Sequence, residues 1–130
     1  MRCNMDSFIV CNVTVEGFHY WEDAPEQYAY LRNKHRHMFN IRMHIPVMDL
    51  NREIEFIDEQ RIIKDRILKE FGDSLGYAQF EGMSCEHIAE WLMAEYPTAT
   101  YCKVIEDTNG GAVLVRKQYQ NPFCWFRQCL

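Results

Sequence analysis

Residues 34–47 read Lys-His-Arg-His-Met-Phe-Asn-Ile-Arg-Met-His-Ile-Pro-Val. Every second residue from His35 onward is a histidine or an apolar residue, and this alternation predicts a β-strand that ends at Val47. Residues two apart in a strand point to the same face of the sheet. His35 and His37 can therefore bind one metal ion without bending the backbone, whereas His44 points to the opposite face.

A strand predicted over residues 7–20 supplies a third histidine. These residues are rich in β-branched and aromatic types, and His19 lies near the end of the run. Gly17 predicts a bulge or a close backbone approach just before His19. A His-x-His pair alone is common on an exposed strand. A third histidine on a neighbouring strand favours a catalytic zinc site, which typically has three protein ligands and one open position. We expect His19, His35 and His37 to be these ligands.

The rest of the chain shows both helical and strand patterns. Residues 22–33 contain Pro25 and predict an excursion with a short helical turn. The other predicted elements are a helix from an N-cap at Asp58 to Gly72 with Ile62, Ile63, Ile67 and Phe71 on its apolar side, a loop over 77–83, a helix from Cys85 to about Tyr96 capped by Ser84, a strand over 100–106, a hairpin turn at Asn109-Gly110-Gly111, and a strand beginning at Ala112.

This order of elements predicts the fold class. Two strands, two helices and two strands favour an α+β fold in which both helices cover one face of a four-stranded antiparallel sheet. With 130 residues we expect a single domain, with a core over about 8–117 and an aromatic extension over 121–130 that covers a subunit interface or a sheet edge. The exposed edges of so small a sheet also favour a homo-oligomer.

Composition narrows the partners. The net charge of −5 argues against a nucleic-acid-binding protein, which would normally carry a basic face. No stretch approaches the ~20 apolar residues of a membrane helix, so we expect no membrane association. The six cysteines include no Cys-x-x-Cys pair, and the sequence shows no secretory signal. We therefore expect a cytoplasmic protein with reduced thiols.

Four motifs resemble one known family. His19 ends the first strand, and His35-Arg36-His37 starts the second where that family has His-Gly-His. The segment 84–89, Ser-Cys-Glu-His-Ile-Ala, resembles the family's Pro-Thr-Ser-Glu-Asn-Leu-Ala, and the segment 104–108, Val-Ile-Glu-Asp-Thr, resembles its Val-x-Glu-Thr. In their order and spacing these motifs resemble the 6-pyruvoyltetrahydropterin synthase / 6-carboxytetrahydropterin synthase (QueD-like) family, which has the ββααββ tunnelling fold.

The resemblance implies a zinc-dependent lyase that acts on a pterin triphosphate such as 7,8-dihydroneopterin triphosphate, in tetrahydrobiopterin or queuosine synthesis. It implies trimers stacked into hexamers with active sites between subunits. It assigns the zinc to the three histidines, and it assigns the pterin ring to the Glu106 carboxylate. Ser84 and Cys85, at the start of the second helix, are further candidates for substrate binding.

The departures from the family concern acid/base groups. Residues 29–33 lack the family's catalytic cysteine, and Glu26 is the nearest glutamate that could replace it. The family's Leu-Asp-His corresponds to Gly72-Asp73-Ser74, so Asp73 remains while the histidine is lost. His87 stands where the family has an asparagine, and it is either a new catalytic group or an ordinary residue of the first helical turn. The alternatives are therefore a lyase with an altered acid/base set (Asp73, His87 and Glu26), a lapsed protein that binds a pterin, a deazapurine or a guanine nucleotide, and a structural oligomer.

Overall fold

A computed structural model describes residues 5–117, which form an α+β fold around one five-stranded sheet. The predicted fold class is confirmed at this level, and the predicted extension over 121–130 lies outside the described residues. The elements are β1 (Ser7–His19), a 3₁₀ helix (Glu26–Leu31), β2 (His35–Val47), α1 (Phe56–Phe71), β3 (Ala78–Glu81), α2 (Cys85–Glu95), β4 (Tyr101–Glu106) and β5 (Gly110–Val115), and the sheet order is β3-β1-β2-β4-β5.

The two long strands form the centre of the sheet and position the histidines. β1 and β2 are antiparallel partners along their whole length, from Ser7 opposite Val47 to His19 opposite His35. Alternate residues of both strands are buried, as the period-two pattern predicts. The strand boundaries predicted around the histidines are thus confirmed. His19, His35 and His37 lie together at one end of this pair of strands.

The prediction of a four-stranded, wholly antiparallel sheet was wrong. Residues 77–83, predicted as a loop, contain β3, which runs parallel to β1 at the edge of the sheet. Four residues are too few for periodicity to distinguish a strand from a loop, although Ala78 and Phe80 are both buried. Gly17 permits this pairing, because a Cβ there would meet the Ala78 carbonyl oxygen at 2.7 Å. The predicted close approach at Gly17 is confirmed.

The core lies between the two α-helices and one face of the sheet. It includes Ile63 and Ile67 of α1 and Ile88 and Leu92 of α2, together with the buried residues of β1, β2 and β4. Ile62, which was predicted to share the apolar side of α1, is 53% exposed. Only the residues of α1 that face the sheet are buried, and Ile62 lies beside that stripe, so its side chain remains partly in solvent.

Both predicted helices are present, and one of their four ends differs from the prediction. α2 begins after the Ser84 N-cap as predicted, and α1 ends at the predicted Gly72. However, α1 begins at Phe56 rather than after Asp58, because the Glu55 side chain accepts a hydrogen bond from the Ile57 N–H and caps the helix earlier.

The turn of the last hairpin also differs from the prediction. It occupies residues 107–109 rather than Asn109-Gly110-Gly111, and Gly110 already belongs to β5. Asp107 adopts the left-handed conformation with φ of 55°. Aspartate tolerates the left-handed region of φ and ψ better than most residues do. The chain can therefore turn at Asp107, before it reaches the Asn109-Gly110 pair at which the turn was predicted. Because β4 ends at Glu106 and the turn begins at Asp107, both carboxylates lie at the histidine end of the sheet.

Two further findings concern the described residues as a whole. Cys11, Cys85 and Cys102 are buried and form no disulfide. Within 5–117, no helix has the length and apolar character needed to cross a membrane.

Candidate metal centre

Three imidazoles converge where β1 ends and β2 begins. One ligand atom from each of His19, His35 and His37 lies within 4.8 Å of the others. His19 is 7% exposed and the other two rings are partly buried. The period of two predicted that His35 and His37 share a face, and His19 was expected as the third ligand because it closes the neighbouring strand. His44 lies on the opposite face, where its ring stacks on Tyr101 at 4.0 Å.

Each of the three rings is oriented by an acceptor at its Nδ1 atom. A carbonyl or carboxylate oxygen only accepts hydrogen bonds, so each Nδ1 carries a proton, and in the neutral ring Nε2 is then the unprotonated nitrogen. The three contacts are His19 Nδ1 to the Met83 carbonyl at 2.9 Å, His35 Nδ1 to the Asn33 carbonyl at 2.9 Å, and His37 Nδ1 to Asp107 Oδ2 at 2.8 Å.

The unprotonated nitrogens fit a metal ion. Nε2 of His19 and Nε2 of His37 are buried and make no hydrogen bond. Burial lowers the pKa of His19 below its ordinary value, which outweighs the opposing effects of the Met83 carbonyl and Glu106. A neutral imidazole with a buried lone pair and a fixed tautomer is the form in which histidine binds metal. The three residues are therefore a fitting ligand set for a divalent transition metal.

Asp107 holds His37 from the outer side of the site. Its Oδ2 accepts from His37 Nδ1, its Oδ1 accepts from the Met38 backbone N–H at 2.9 Å, and its own N–H donates to the Met38 carbonyl at 2.7 Å. The Met38 N–H and the His37 ring hold the pKa of Asp107 below its usual value. Sequence reasoning missed this residue, because its contact depends on where the hairpin turns.

Glu106, the last residue of β4, lies on the inner side of the site. Its Oε1 is 2.9 Å from His19 Nε2 and its Oε2 is 3.3 Å from His37 Nε2. These are close approaches rather than hydrogen bonds, since neither Nε2 has a hydrogen-bond partner. The Cys85 thiol donates to Oε1 at 3.5 Å. Burial, followed by the charge of Glu106, raises the pKa of Cys85 to about 12.

A cavity of about 440 Å³ opens beside the histidines. His19, His35 and Glu106 form one side of it, and the start of α2 forms another. Its lining also includes Tyr20, Trp21, Leu31, Gly82, Met83, Ser84, Cys85, Glu86, His87, Gly110 and Gly111. The cavity thus combines two of the three candidate metal ligands, His19 and His35, with a carboxylate, aromatic rings and a helix N-terminus.

The start of α2 is ordered by a reciprocal pair of caps. Ser84 Oγ accepts from the His87 backbone N–H at 3.1 Å, and His87 Nδ1 accepts from the Ser84 N–H at 3.2 Å. His87 therefore has a structural role at the helix terminus. Its ring also borders the cavity, so the structure brings Ser84, Cys85, His87 and Glu106 together near the histidines.

Asp73 and Glu26 do not line this cavity. Asp73 orders the turn before β3, where its carboxylate accepts from the Gln79 side chain at 2.9 Å and the Tyr77 N–H at 3.0 Å, and these bonds lower its pKa. It lines a neighbouring cavity that His87 also borders. Glu26 lies in the 3₁₀ helix, where its exposed carboxylate is 3.2 Å from Arg32.

Comparison with family models and with curated sequences adds no relative. No protein-family model and no curated protein sequence matches this chain. Function is therefore inferred from the three histidines, the two neighbouring carboxylates and the cavity beside them.

Proposed function

We propose that this protein is a zinc-dependent lyase of the 6-pyruvoyltetrahydropterin / 6-carboxytetrahydropterin synthase type, acting on a pterin triphosphate such as 7,8-dihydroneopterin triphosphate. One observation carries the proposal. Three imidazoles, each bonded to an oxygen through Nδ1, bring one ligand atom apiece within 4.8 Å of one another beside a cavity that Glu106 also lines.

Zinc is the proposed metal because the donors are three neutral imidazoles. Nitrogen donors of this kind suit zinc, and they leave its full double charge uncompensated. When bound, zinc would act as a Lewis acid that polarises the side-chain hydroxyls of the substrate and lowers their pKa. His19, His35 and His37 would hold it, while Asp107 keeps the His37 ring in the binding tautomer.

The cavity offers groups that suit a flat heterocycle. A carboxylate has only acceptors, so Glu106 can take two ring N–H donors at one edge of a pterin. Trp21 and Tyr20 line the cavity and supply aromatic surface for the ring. Ser84 and Cys85 lie at the start of α2, where free backbone N–H groups favour polar or anionic substituents.

The acid/base groups decide between this enzyme and a second candidate. His87 borders the cavity, but Asp73 orders a turn beside it and Glu26 lies exposed on the 3₁₀ helix. General acid/base catalysis typically contributes ~10²–10⁴-fold in rate. The placement of Asp73 and Glu26 therefore favours, as the second candidate, a protein that binds a pterin, a deazapurine or a guanine nucleotide without converting it.

The proposal extends to fold and assembly. We propose that the domain is a tunnelling fold that assembles as a homo-oligomer, a trimer or a stacked hexamer. The described fold supports this with two long central strands, two helices that share one core, and two strands, β3 and β5, at the edges of the sheet. Unpaired edge strands readily pair with another copy of the chain.

The test combines metal content with turnover. Zinc per chain is measured by mass spectrometry for the wild type, His35→Ala and the matched control His44→Ala, which removes an imidazole from the opposite face of β2. We expect about one zinc per chain in the wild type and the control, and loss of zinc in His35→Ala. Each protein is then incubated with 7,8-dihydroneopterin triphosphate, and products are separated by liquid chromatography.

The outcomes separate the candidates. Turnover by the wild type and His44→Ala, but not by His35→Ala, supports the lyase. Calorimetric binding of the pterin triphosphate without any product supports the binding protein and overturns the lyase. Absence of both zinc and pterin binding contradicts both candidates.

A further inference from the structure

We infer that Glu106 is a fourth protein ligand of the metal, so that a carboxylate closes the three-histidine site when no other ligand is bound. This inference rests on the metal site of the proposed function, and it gives Glu106 a contact that the family resemblance does not. The Glu106 carboxylate spans two of the rings, with Oε1 2.9 Å from His19 Nε2 and Oε2 3.3 Å from His37 Nε2.

Between neutral rings and a carboxylate these close approaches bring lone pairs together, and a proton or a metal cation between the atoms would make them favourable. His19 and His37 carry their ring protons on Nδ1, because an oxygen of Met83 and an oxygen of Asp107 accept there. Each Nε2 therefore presents a lone pair, and a carboxylate oxygen also presents only lone pairs. Neither Nε2 makes a hydrogen bond. A metal cation at this point would turn the repulsion between lone pairs into coordination by nitrogen and oxygen.

The distances agree with a shared coordination sphere. Ligand atoms ~2.0–2.2 Å from a tetrahedral zinc lie roughly 3.3–3.6 Å from one another. The distance from Glu106 to His37 falls in this range, and the distance from Glu106 to His19 is slightly shorter. The three histidine ligand atoms lie within 4.8 Å of one another, so the more widely spaced of them must come closer together to complete the set.

The backbone places Glu106 on the face of the sheet that carries the histidines. Glu106 pairs with Phe39 across β2 and β4, so it lies on the histidine face, next to His37 along the strand. The following Asp107 is attached to Met38 by two hydrogen bonds, and the Asn40 side chain donates to the Asp107 carbonyl at 2.6 Å. Glu106 and Asp107 therefore lie beside opposite nitrogens of the same imidazole.

A carboxylate that binds the metal through one oxygen can still accept a hydrogen bond at the other. If a bound ring instead takes both oxygens of Glu106, as in the proposed function, the carboxylate leaves the metal and the fourth position opens for the substrate's oxygen. The site would then expose its Lewis acid only when the correct ring is present. This consequence depends on the proposed function, whereas the coordination by Glu106 does not.

The experiment measures metal coordination without any substrate. Zinc affinity is determined by competition with a chromogenic chelator for the wild type, for Glu106→Gln and for the control Glu86→Gln, which removes the same charge from the same cavity. We expect Glu106→Gln to weaken zinc binding by more than the ~10–100-fold typical of losing an outer-shell partner. We expect Glu86→Gln to stay within about fivefold of the wild type, as for an exposed charge.

A crystal structure of the zinc-loaded wild type gives the direct readout. A Glu106 oxygen ~2.0–2.2 Å from the zinc supports the inference. Water or the Cys85 sulfur in that position overturns it, as does equal zinc affinity in the two glutamine variants. Because no pterin is used, failure of turnover would overturn the proposed lyase and leave the coordination by Glu106 unaffected.

Discussion

Replacing Asp107 by asparagine should change the protonation of His37 without changing the shape of the site. The two oxygens of Asp107 accept from two different donors, the His37 ring and the Met38 backbone. An asparagine has one oxygen and one amide group, so it can accept from only one of them. If its oxygen keeps the backbone donor, its amide faces His37 Nδ1 and favours the tautomer with the proton on Nε2. The nitrogen that binds metal is then blocked.

The expected effect is a loss of zinc affinity by ~10–100-fold, the range seen when an outer-shell partner of a ligating histidine is removed. Asparagine tolerates the positive φ of 55° at this turn, so the hairpin should be retained. Asp107→Gly also suits that φ but leaves the ring free to donate to water, so we expect a smaller loss of affinity. Asp65→Asn, on the exposed side of α1, removes the same charge away from the site and is the control.

Two measurements check this prediction. Competition with a chromogenic chelator gives the zinc affinity, and long-range proton–nitrogen NMR of the metal-free protein gives the tautomer of His37. The reasoning is refuted if Asp107→Asn binds zinc as tightly as the Asp65→Asn control while the proton of His37 stays on Nδ1. A loss of affinity with an unchanged tautomer would also contradict it, since the effect would then have another cause.

Two further predictions concern stability. Ile67→Ala removes a fully buried side chain and should lower the free energy of unfolding by about 2–5 kcal/mol. Ile62→Ala, at a position 53% exposed, should change the free energy of unfolding by about 0.5 kcal/mol or less. Urea denaturation of both variants measures the difference, and equal losses would mean that α1 packs differently. Burial lowers the pKa of His19 below the ordinary 6.5. As the pH falls through about 6.5, the unfolded chain therefore takes up a proton at His19 that the folded protein does not yet bind. The free energy of unfolding of the metal-free protein should therefore fall from about pH 7.5 to about pH 5.5, and it should fall less in His19→Gln; an equal slope in the variant would show that other groups cause the dependence.

Much of the fold follows from local patterns. The alternation in β1 and β2 is long enough to specify both strands and the face on which each histidine lies, and the Ser84 and Gly72 signals mark helix ends that depend on neighbouring residues. β3 shows the limit of this reasoning. Its four residues carry too little periodicity, and they become a strand only because Gly17 lets their backbone approach β1.

The candidate site divides in the same way. The spacing of His35 and His37 places two imidazoles on one face, because the side-chain period of a strand is two. His19 could be named as the third ring from its place at the end of a strand, and the register of β1 and β2 sets it opposite His35. The contacts of Glu106 and Asp107 depend on the register between β2 and β4 and on the exact residue at which the hairpin turns. Register and turn position are set by non-local pairing, and a shift of one residue would send both carboxylates to the wrong faces. The sequence by itself therefore determined which rings can meet, and the tertiary structure decided which groups orient them and which carboxylate faces their free nitrogens.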